Sequence, residues 1–538
     1  RVPKSHGRLF NLFESTFQKI TDVYTVILAQ AMRWRWVVVG GGMAAVVLAV
    51  VVFLNLKREF VPPDDRGFFT VFTVGPEGAS LGYTDDYQRR VEDILGRTED
   101  VEAYFSIIGF GGRVNSGIIF ARLSDWEERT RSAQDVISEV QPQFFGIPGI
   151  FAFANNPSAF GGFGSPVQFV IRHPNFDSLT VGMERLLQRA RQVNGLINVD
   201  TDLRVNKPEL TVAYERDRAE DLGVPIQDIS GTLQTMLGGQ RISTFTRNNK
   251  LYYVIAQLAP DERATPRDMT GLYVRGREGQ LVQLSAVARI EEGVGPRQLS
   301  HFDRVRSATL TGGLAPGFTM GEALDSLYAA SDDVLPAGTS IALAGESREL
   351  EESGNALYFA FLLALVVVFM VLAAQFESLI HPFTVILAVP LAVTGALLTL
   401  LVTGSTLNLF SQIGMILLIG LVTKNSILLV EYANQLKRKG ASAVEAMLQS
   451  GSIRLRPIVM TSVATIMGAM PIALGLGAGS MSRRPLGYAI VGGMVFSTLL
   501  TLFLVPVVYV LLDGLQARLR LRRPAEDQSP SLSPVEAS

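Results

Sequence analysis

The sequence predicts an α-helical membrane bundle of six spans, with a large α+β block outside the lipid. Three observations carry this prediction. Six apolar runs, at residues 36–56, 355–375, 380–403, 408–432, 457–478 and 486–512, are each long enough to cross a hydrocarbon layer roughly 30 Å thick. Residues 57–346, between the first run and the second, are polar and alternate strand and helix patterns. Positive charge sorts by side, because Arg33 and Arg35, then Lys437, Arg438 and Lys439, then Arg518, Arg520, Arg522 and Arg523 all fall on one face of a six-span chain. The positive-inside rule makes that face cytoplasmic and puts both termini there. Arg483 and Arg484 fall on the other side, one pair against three clusters.

Residues 1–35 come first. Leu9, Phe10, Leu12, Phe13, Phe17, Ile20, Tyr24, Ile27 and Leu28 recur at helical spacing among Glu14, Lys19 and Asp22. Directly before a span, this pattern reads as an amphipathic helix lying on the membrane surface. A core helix of a soluble domain has the same periodicity. The first span covers 36–56, the extramembrane block 57–346 and the five-helix segment 347–513. The tail 514–538, rich in Ser, Pro, Glu and Asp, reads as disordered.

Within the block, 67–74 alternates as a strand and 83–95 reads as a helix, followed by strands at 101–108 and 117–123. The theme returns as a strand at 167–172, a helix at 179–193 and strands at 197–203 and 209–214. Repeated βαββ units point to ferredoxin-like α+β sandwiches. Residues 242–246 and 251–257, joined around Asn248-Asn249-Lys250, form a predicted hairpin. Strands near 271–274, 281–290 and 307–312 precede a helix at 320–331.

Composition removes several function classes. The net charge of −2 argues against a nucleic-acid partner. The absence of cysteine removes disulfides, thiol catalysis and zinc–thiolate sites. His6, His173, His301 and His381 are scattered and set no metal-ligand spacing, so no metal site and no cofactor are expected.

Lys424 carries the chemistry. It lies near the middle of the apolar run 410–432, and no Asp or Glu lies in the interior of any span. An ammonium at that depth costs roughly 2.5 kcal/mol or more, so such a lysine pairs with a carboxylate or faces a watery cavity, and it marks an ion or substrate pathway. With no carboxylate in these spans, its partner is expected on a second half of a proton-driven transporter. Glu431, seven residues on, shares the face but lies at the cytoplasmic end. On the fifth span Arg454 stands at the mouth, with Thr461 seven residues deeper. A hydroxyl both donates and accepts, as a proton relay needs. It also commonly bonds its own helix backbone, and Arg454 also fits a simple positive-inside anchor.

These residues stand in motifs. Gly420-Leu421-Val422-Thr423-Lys424-Asn425-Ser426-Ile427-Leu428-Leu429-Val430-Glu431-Tyr432 resembles the tenth transmembrane helix of resistance–nodulation–division (RND) efflux pumps. Arg454-Leu455-Arg456-Pro457-Ile458-Val459-Met460-Thr461-Ser462 resembles the start of the eleventh, and Gly475 to Ser480 and Gly492-Gly493-Met494 are also similar. The resemblance covers nearly the whole chain and fits the C-terminal half of the AcrB-type hydrophobe/amphiphile branch. It implies a multidrug antiporter of the bacterial inner membrane, driven by the proton gradient without a cofactor. Lys424, Arg454 and Thr461 then match the proton-relay residues, paired with aspartates on the N-terminal half. The implied partners are that half, two further protomers of a homotrimer, a periplasmic adaptor, an outer-membrane channel and small hydrophobic substrates.

The resemblance also divides the block into periplasmic porter subdomains and a mixed docking subdomain. Phe105, Phe110, Phe120 and Phe169 fall where such pumps line a drug pocket. Phe144, Phe145, Phe151, Phe153, Phe160 and Phe163 add an aromatic-rich stretch, and any of these rings also suits a sandwich core. The loop 109–117 is shorter than the corresponding switch loop and lacks its second phenylalanine. Three other readings stand beside this one, of which a structural or sensory membrane protein leaves Lys424 unexplained. A metal-exporting RND pump would cluster its thioethers, whereas Met183, Met236, Met269 and Met320 are scattered. A protein-translocation accessory of the SecDF type would carry a working carboxylate inside its spans.

Overall fold

The computed structural model describes residues 8–157, 164–477 and 479–521. Phe160, Phe163, Arg522, Arg523 and the rest of the predicted tail beyond residue 521 lie outside the described residues. The first helix, α1 (Arg8–Arg33), is followed at once by α2 (Arg35–Asn55), the first span. One face of α1 packs on the protein. Tyr24 and Leu28 are buried against Leu455, Ile458 and Leu502, and the Tyr24 hydroxyl donates to the Leu502 carbonyl at 2.9 Å. Ile20, Val23, Val26 and Ile27 stay exposed on the same helix, an apolar surface for the lipid boundary.

The first extramembrane unit runs β1 (Phe68–Val74), α3 (Leu81–Leu95), β2 (Val101–Ile108), β3 (Ser116–Leu123), α4 (Ala133–Phe145) and β4 (Phe151–Asn155). Its strands are antiparallel in the order β2-β3-β1-β4. Both helices cover one face. Phe69, Val71, Ile119 and Ala121 pack there against Val91, Leu95, Val136 and Val140. Side chains alternate along a strand, so Phe72, Phe105, Phe120 and Phe153 fall on the opposite, helix-free face.

The second unit begins with β5 (Val167–Arg172), α5 (Phe176–Ala190) and β6 (Leu196–Thr201). The chain then leaves the sheet. Residues 202–299 contain β7 (Lys207–Tyr214), α6 (Arg216–Asp221), α7 (Ile226–Leu233), β8 (Gln240–Arg247), β9 (Lys250–Ala256), α8 (Pro266–Thr270), β10 (Tyr273–Arg275), β11 (Leu281–Gln283) and β12 (Ala288–Gly295). They enclose a small core of their own around Val224, Ile229, Val274 and Leu284. β13 (Ser300–Phe302), β14 (Val305–Leu314), α9 (Met320–Val334) and β15 (Ser340–Leu343) then complete the second sheet. Its main antiparallel order is β6-β14-β5-β15, with β13 beside β6 along β14. With the three-residue β13 set aside, both units order their strands 2-3-1-4, counted along the chain.

Three expectations are corrected here. Residues 209–214 do form a strand, but β7 pairs with β12 and not with the second sheet. β14 takes the place assigned to it, because alternation identifies a strand and not its neighbour. The single strand expected over 281–290 is two, β11 and β12, separated by a turn at Leu284–Ala286. The hairpin stands with a tighter loop: Asn248 and Asn249 alone make the turn, with φ of 52° and 57°, as a two-residue hairpin turn requires.

The remaining spans are α10 (Gly345–Phe376), α11 (Ile380–Ile386) with α12 (Ala388–Val402), α13 (Leu409–Arg438), α14 (Ala443–Leu474) and α15 (Arg484–Leu521). With α2 they make six helices long and apolar enough to cross a membrane among the described residues. The fifth ends at Leu474 and not at 478, stopped by Gly475 at φ 69°. The last runs on to Leu521, past the boundary at 513 where a disordered tail was expected. α12 and α15 touch backbone to backbone. A side chain at Gly395 would strike Phe496 and the Gly492 carbonyl, so only small residues allow this crossing.

One buried ion pair ties the segment that enters β1 to the loop that enters α4. Asp65 accepts from Arg129 Nη1 at 2.7 Å and Nη2 at 2.8 Å, from Ala133 N at 2.7 Å and from Gly67 N at 3.0 Å. Burial pushes its carboxyl up, but the Arg129 guanidinium and the two amides pull harder and hold it below the ordinary range. Asp65→Ala leaves a buried guanidinium unpaired and should lower the stability of the unit by about 3–5 kcal/mol. In the parent protein this contribution is complete above the unfolded carboxyl pKa of about 3.9 and is lost as pH falls through the lower folded value. Thermal unfolding of the detergent-solubilised chain, parent and variant, between pH 3 and 7 measures both effects.

Candidate functional site: the lysine helix and an aromatic sheet face

α13 begins at a built N-cap. Asn408 Oδ1 accepts from Ser411 N at 3.0 Å, and Ser411 Oγ accepts from Asn408 N at 2.9 Å. Lys424 lies 16 residues beyond that N-cap, about 24 Å along the axis at 1.5 Å per residue. One side of α13 is packed: Ser411, Gly414, Leu418, Val422, Asn425 and Leu429 are buried. Leu417, Gly420 and Lys424 form an exposed stripe at three- and four-residue spacing. Among the described residues Lys424 has no ion pair. Glu431 accepts from Gln435 at 3.2 Å and leaves the lysine alone, as its position at the helix end predicts.

Behind the lysine lies a group the sequence reading did not assign. Asn425 Nδ2 donates to Ser462 Oγ at 3.0 Å, and Thr498 Oγ1 donates to the same oxygen at 3.1 Å. All three side chains are buried, one on each of α13, α14 and α15. The signal was an asparagine next to Lys424 in an apolar run, opposite a serine next to Thr461. Because Asn425 meets Ser462, Lys424 and Thr461, each one residue earlier, stand at one level of the membrane.

Thr461 itself donates to the Ile458 carbonyl at 3.1 Å, within its own helix. Arg454 does not reach Lys424. Its guanidinium carbon sits 4.6 Å from the centroid of Tyr432, eight residues along α13. Its Nε is buried without a hydrogen bond.

The four phenylalanines expected to line one pocket separate. Phe105 and Phe120 stack at 6.4 Å on the helix-free face. They border a groove of about 540 Å³ with Phe68, Tyr104, Arg122 and Trp126. Phe110 stands at the end of that sheet, in a loop tied by Ser116 Oγ to the Phe110 carbonyl at 2.9 Å. Phe169 is corrected: it belongs to the other unit, where it is fully buried on β5 and meets Tyr328 edge-on at 5.3 Å. Of the aromatic-rich stretch, Phe144 is in the first core, since it closes the helical face of α4. Phe153 stacks on Phe72 at 5.3 Å, and Phe151 lies 5.7 Å from Phe153 and 6.1 Å from Phe145, which continues the aromatic face.

The profile of the AcrB/AcrD/AcrF family matches residues 1–513. This chain belongs to that family of RND-type transporters. It is also 32% identical over 508 residues to an uncharacterized transporter of Haemophilus influenzae, covering 92% of this chain and 49% of that one. The chain thus spans about half the length of that curated relative. Membership in the AcrB/AcrD/AcrF family and the six apolar helices among the described residues make it a multi-pass membrane protein.

Two measurements check the site. Ser462→Ala leaves Asn425 and Thr498 without their shared partner and should destabilise the helix bundle by about 0.6–1.7 kcal/mol, the range of hydrogen bonds between membrane helices. Unfolding in increasing SDS reads this loss. Phe169→Ala should lower the melting stability of the second unit by about 3–5 kcal/mol, whereas Phe105→Ala, on an exposed ring, should leave stability within about 0.5 kcal/mol.

Proposed function

We propose that this chain is the C-terminal half of a proton-driven exporter of hydrophobic and amphiphilic compounds in a bacterial inner membrane. The observation that carries the reading is Lys424: an exposed ammonium at mid-span, without a counter-charge among the described residues and level with a buried amide–hydroxyl cluster. A second membrane half with aspartates against this stripe neutralises it, and protonation of those aspartates releases it. Thr461, at the same level, and Arg454, nearer the cytoplasmic mouth, continue the proton path.

The strand order of both extramembrane units supports ferredoxin-like porter subdomains, and the self-contained insert 202–299 supports a docking subdomain. The exposed hairpin side chains Ile242, Phe245, Leu251 and Tyr253 suit contacts between protomers of a trimer or with an adaptor. An outer-membrane channel completes the path. The stacked rings of the helix-free sheet face suit varied apolar ligands, held by burial and stacking without strict hydrogen-bond rules. Transport in this reading is secondary and active, with no covalent step and no cofactor.

Proteoliposome efflux under an imposed pH gradient tests the proposal. The chain joined to its partner half should export dye, and the chain alone should not. Lys424→Ala should abolish export while leaving membrane insertion intact, because removing the charge eases burial. Gradient-driven export by that variant, or by the lone chain, would falsify the half-pump reading. In the same vesicles Phe110→Ala and Phe120→Ala should each change the ranking of a dye and antibiotic panel without stopping every substrate. An unchanged ranking in both would make these rings packing residues.

A further inference from the structure

The lysine helix has no covalent continuation into the extramembrane block, since α12 and α13 are joined by the short loop 403–408. Its N-terminal end nevertheless reaches the block through residues 57–60, the chain leaving α2. Leu407 N donates to Lys57 O at 2.8 Å, Glu59 N to Leu407 O at 3.2 Å and Leu409 N to Phe60 O at 3.1 Å, with a parallel bridge at Arg58. Thr406 Oγ1 donates to the Glu59 carboxylate and accepts from Asn408 Nδ2 at 3.0 Å. Asn408 is the N-cap of α13, so a run of hydrogen bonds leads from Glu59 into the helix of Lys424.

Two of these residues, Lys57 and Arg58, hold α9 on their other side. Gly321 N donates to Arg58 O at 2.9 Å. Arg58 pairs with Asp325 at 2.9 Å, and Lys57 Nζ meets Glu322 at 3.2 Å and Gly317 O at 2.8 Å. The approach is close. A Cβ at Gly321 would lie 2.8 Å from Arg58 O and 3.0 Å from Arg58 Cβ, so any side chain there pushes the strand away. α9 in turn fills the core of the second unit through Ala323, Leu324 and Leu327.

We propose that residues 57–60 are a coupling strap that carries displacement of the Lys424 helix to α9 and thereby moves the second extramembrane unit, with Thr406 and Gly321 as its positioning residues. A helix is stiff along its axis, so a shift at Lys424 arrives at Asn408. The strap is bonded through main-chain groups on both sides, so it transmits that shift instead of absorbing it. The proposal rests on the proton-driven reading above.

The test separates the two. In proteoliposomes holding the chain with its partner half, dye export and proton entry are recorded together. Thr406→Val removes the donor to Glu59 at nearly constant shape, Thr406→Ser restores it, and Gly321→Ala drives a methyl into Arg58. Thr406→Val and Gly321→Ala should lower dye exported per proton about tenfold, within the range of coupling between linked sites, and Thr406→Ser should recover most of it. This chain has no cysteine, so with a cysteine-free partner half spin labels at Thr403→Cys and Asp332→Cys read the tie directly. Their distance should be narrowly distributed in the parent and in Thr406→Ser, and broadened in the other two. An unchanged ratio and an unchanged distance in Thr406→Val and Gly321→Ala would overturn the strap alone. No gradient-driven export by the unmutated pump would overturn the transport reading, and the strap with it.

Discussion

Lys424 enters hydrocarbon on a helix whose other faces are already filled, and this arrangement constrains the rest of the membrane part. α13 meets α12, α14 and α15 mainly through small or apolar side chains and through two amides, Asn425 bonded to Ser462 and Asn434 to Tyr509. Turning the ammonium away from that interior spares the bundle a buried unpaired charge, which would destabilise it far more than any hydrogen bond inside it could offset. The lysine's surroundings are then decided by whatever covers the stripe Leu417, Gly420 and Lys424. A rigid, polar-pinned back and an open front let a change in that cover act on the helix as a whole.

The first extramembrane unit divides its two faces in a comparable way. One face is sealed by α3 and α4 over Phe69, Val71 and Ile119. The other carries Phe72, Phe105, Phe120 and Phe153 with no helix of its own over them. Aromatic rings on an uncovered sheet face are costly to leave in water, so they mark a surface to be occupied. The same residue type serves both purposes, and only the parity of its position along the strand tells them apart.

That parity shows how much the sequence discloses. The six spans, α3, β2 and β5 are legible because their periodicity is strong and their ends are marked by turns. Lys424 is legible because a lone charge in an apolar run has few explanations. α4 and β4 were hidden behind an aromatic-rich stretch that reads equally well as pocket or core. β7 looked like the last strand of the second unit because its alternation is right; its true partner, β12, lies in a later part of the insert, and no local pattern says which strands pair. Phe169 was grouped with Phe105 and Phe120 by resemblance, and only the fold shows that it lies in the core of the second unit while they lie on the open face of the first. Asn425, Ser462 and Thr498 were unreadable as a group because membrane hydroxyls usually satisfy themselves on their own helix.

The insert between β6 and β14 has a consequence for how the chain acquires its shape. Lengthening a connection is thermodynamically mild, at about 0.6 kcal/mol for each doubling, so a self-contained module can sit inside the second sheet with little loss of stability. Kinetically it is not neutral. β1 finds β4 within residues 68–155, whereas β5 waits for β15 at residues 340–343. Emerging in order during synthesis, the first sheet can close while half of the second is still unmade, and the inserted module can close next around its own small core. The second sheet is therefore the last extramembrane piece to assemble, and it does so between two bodies already folded.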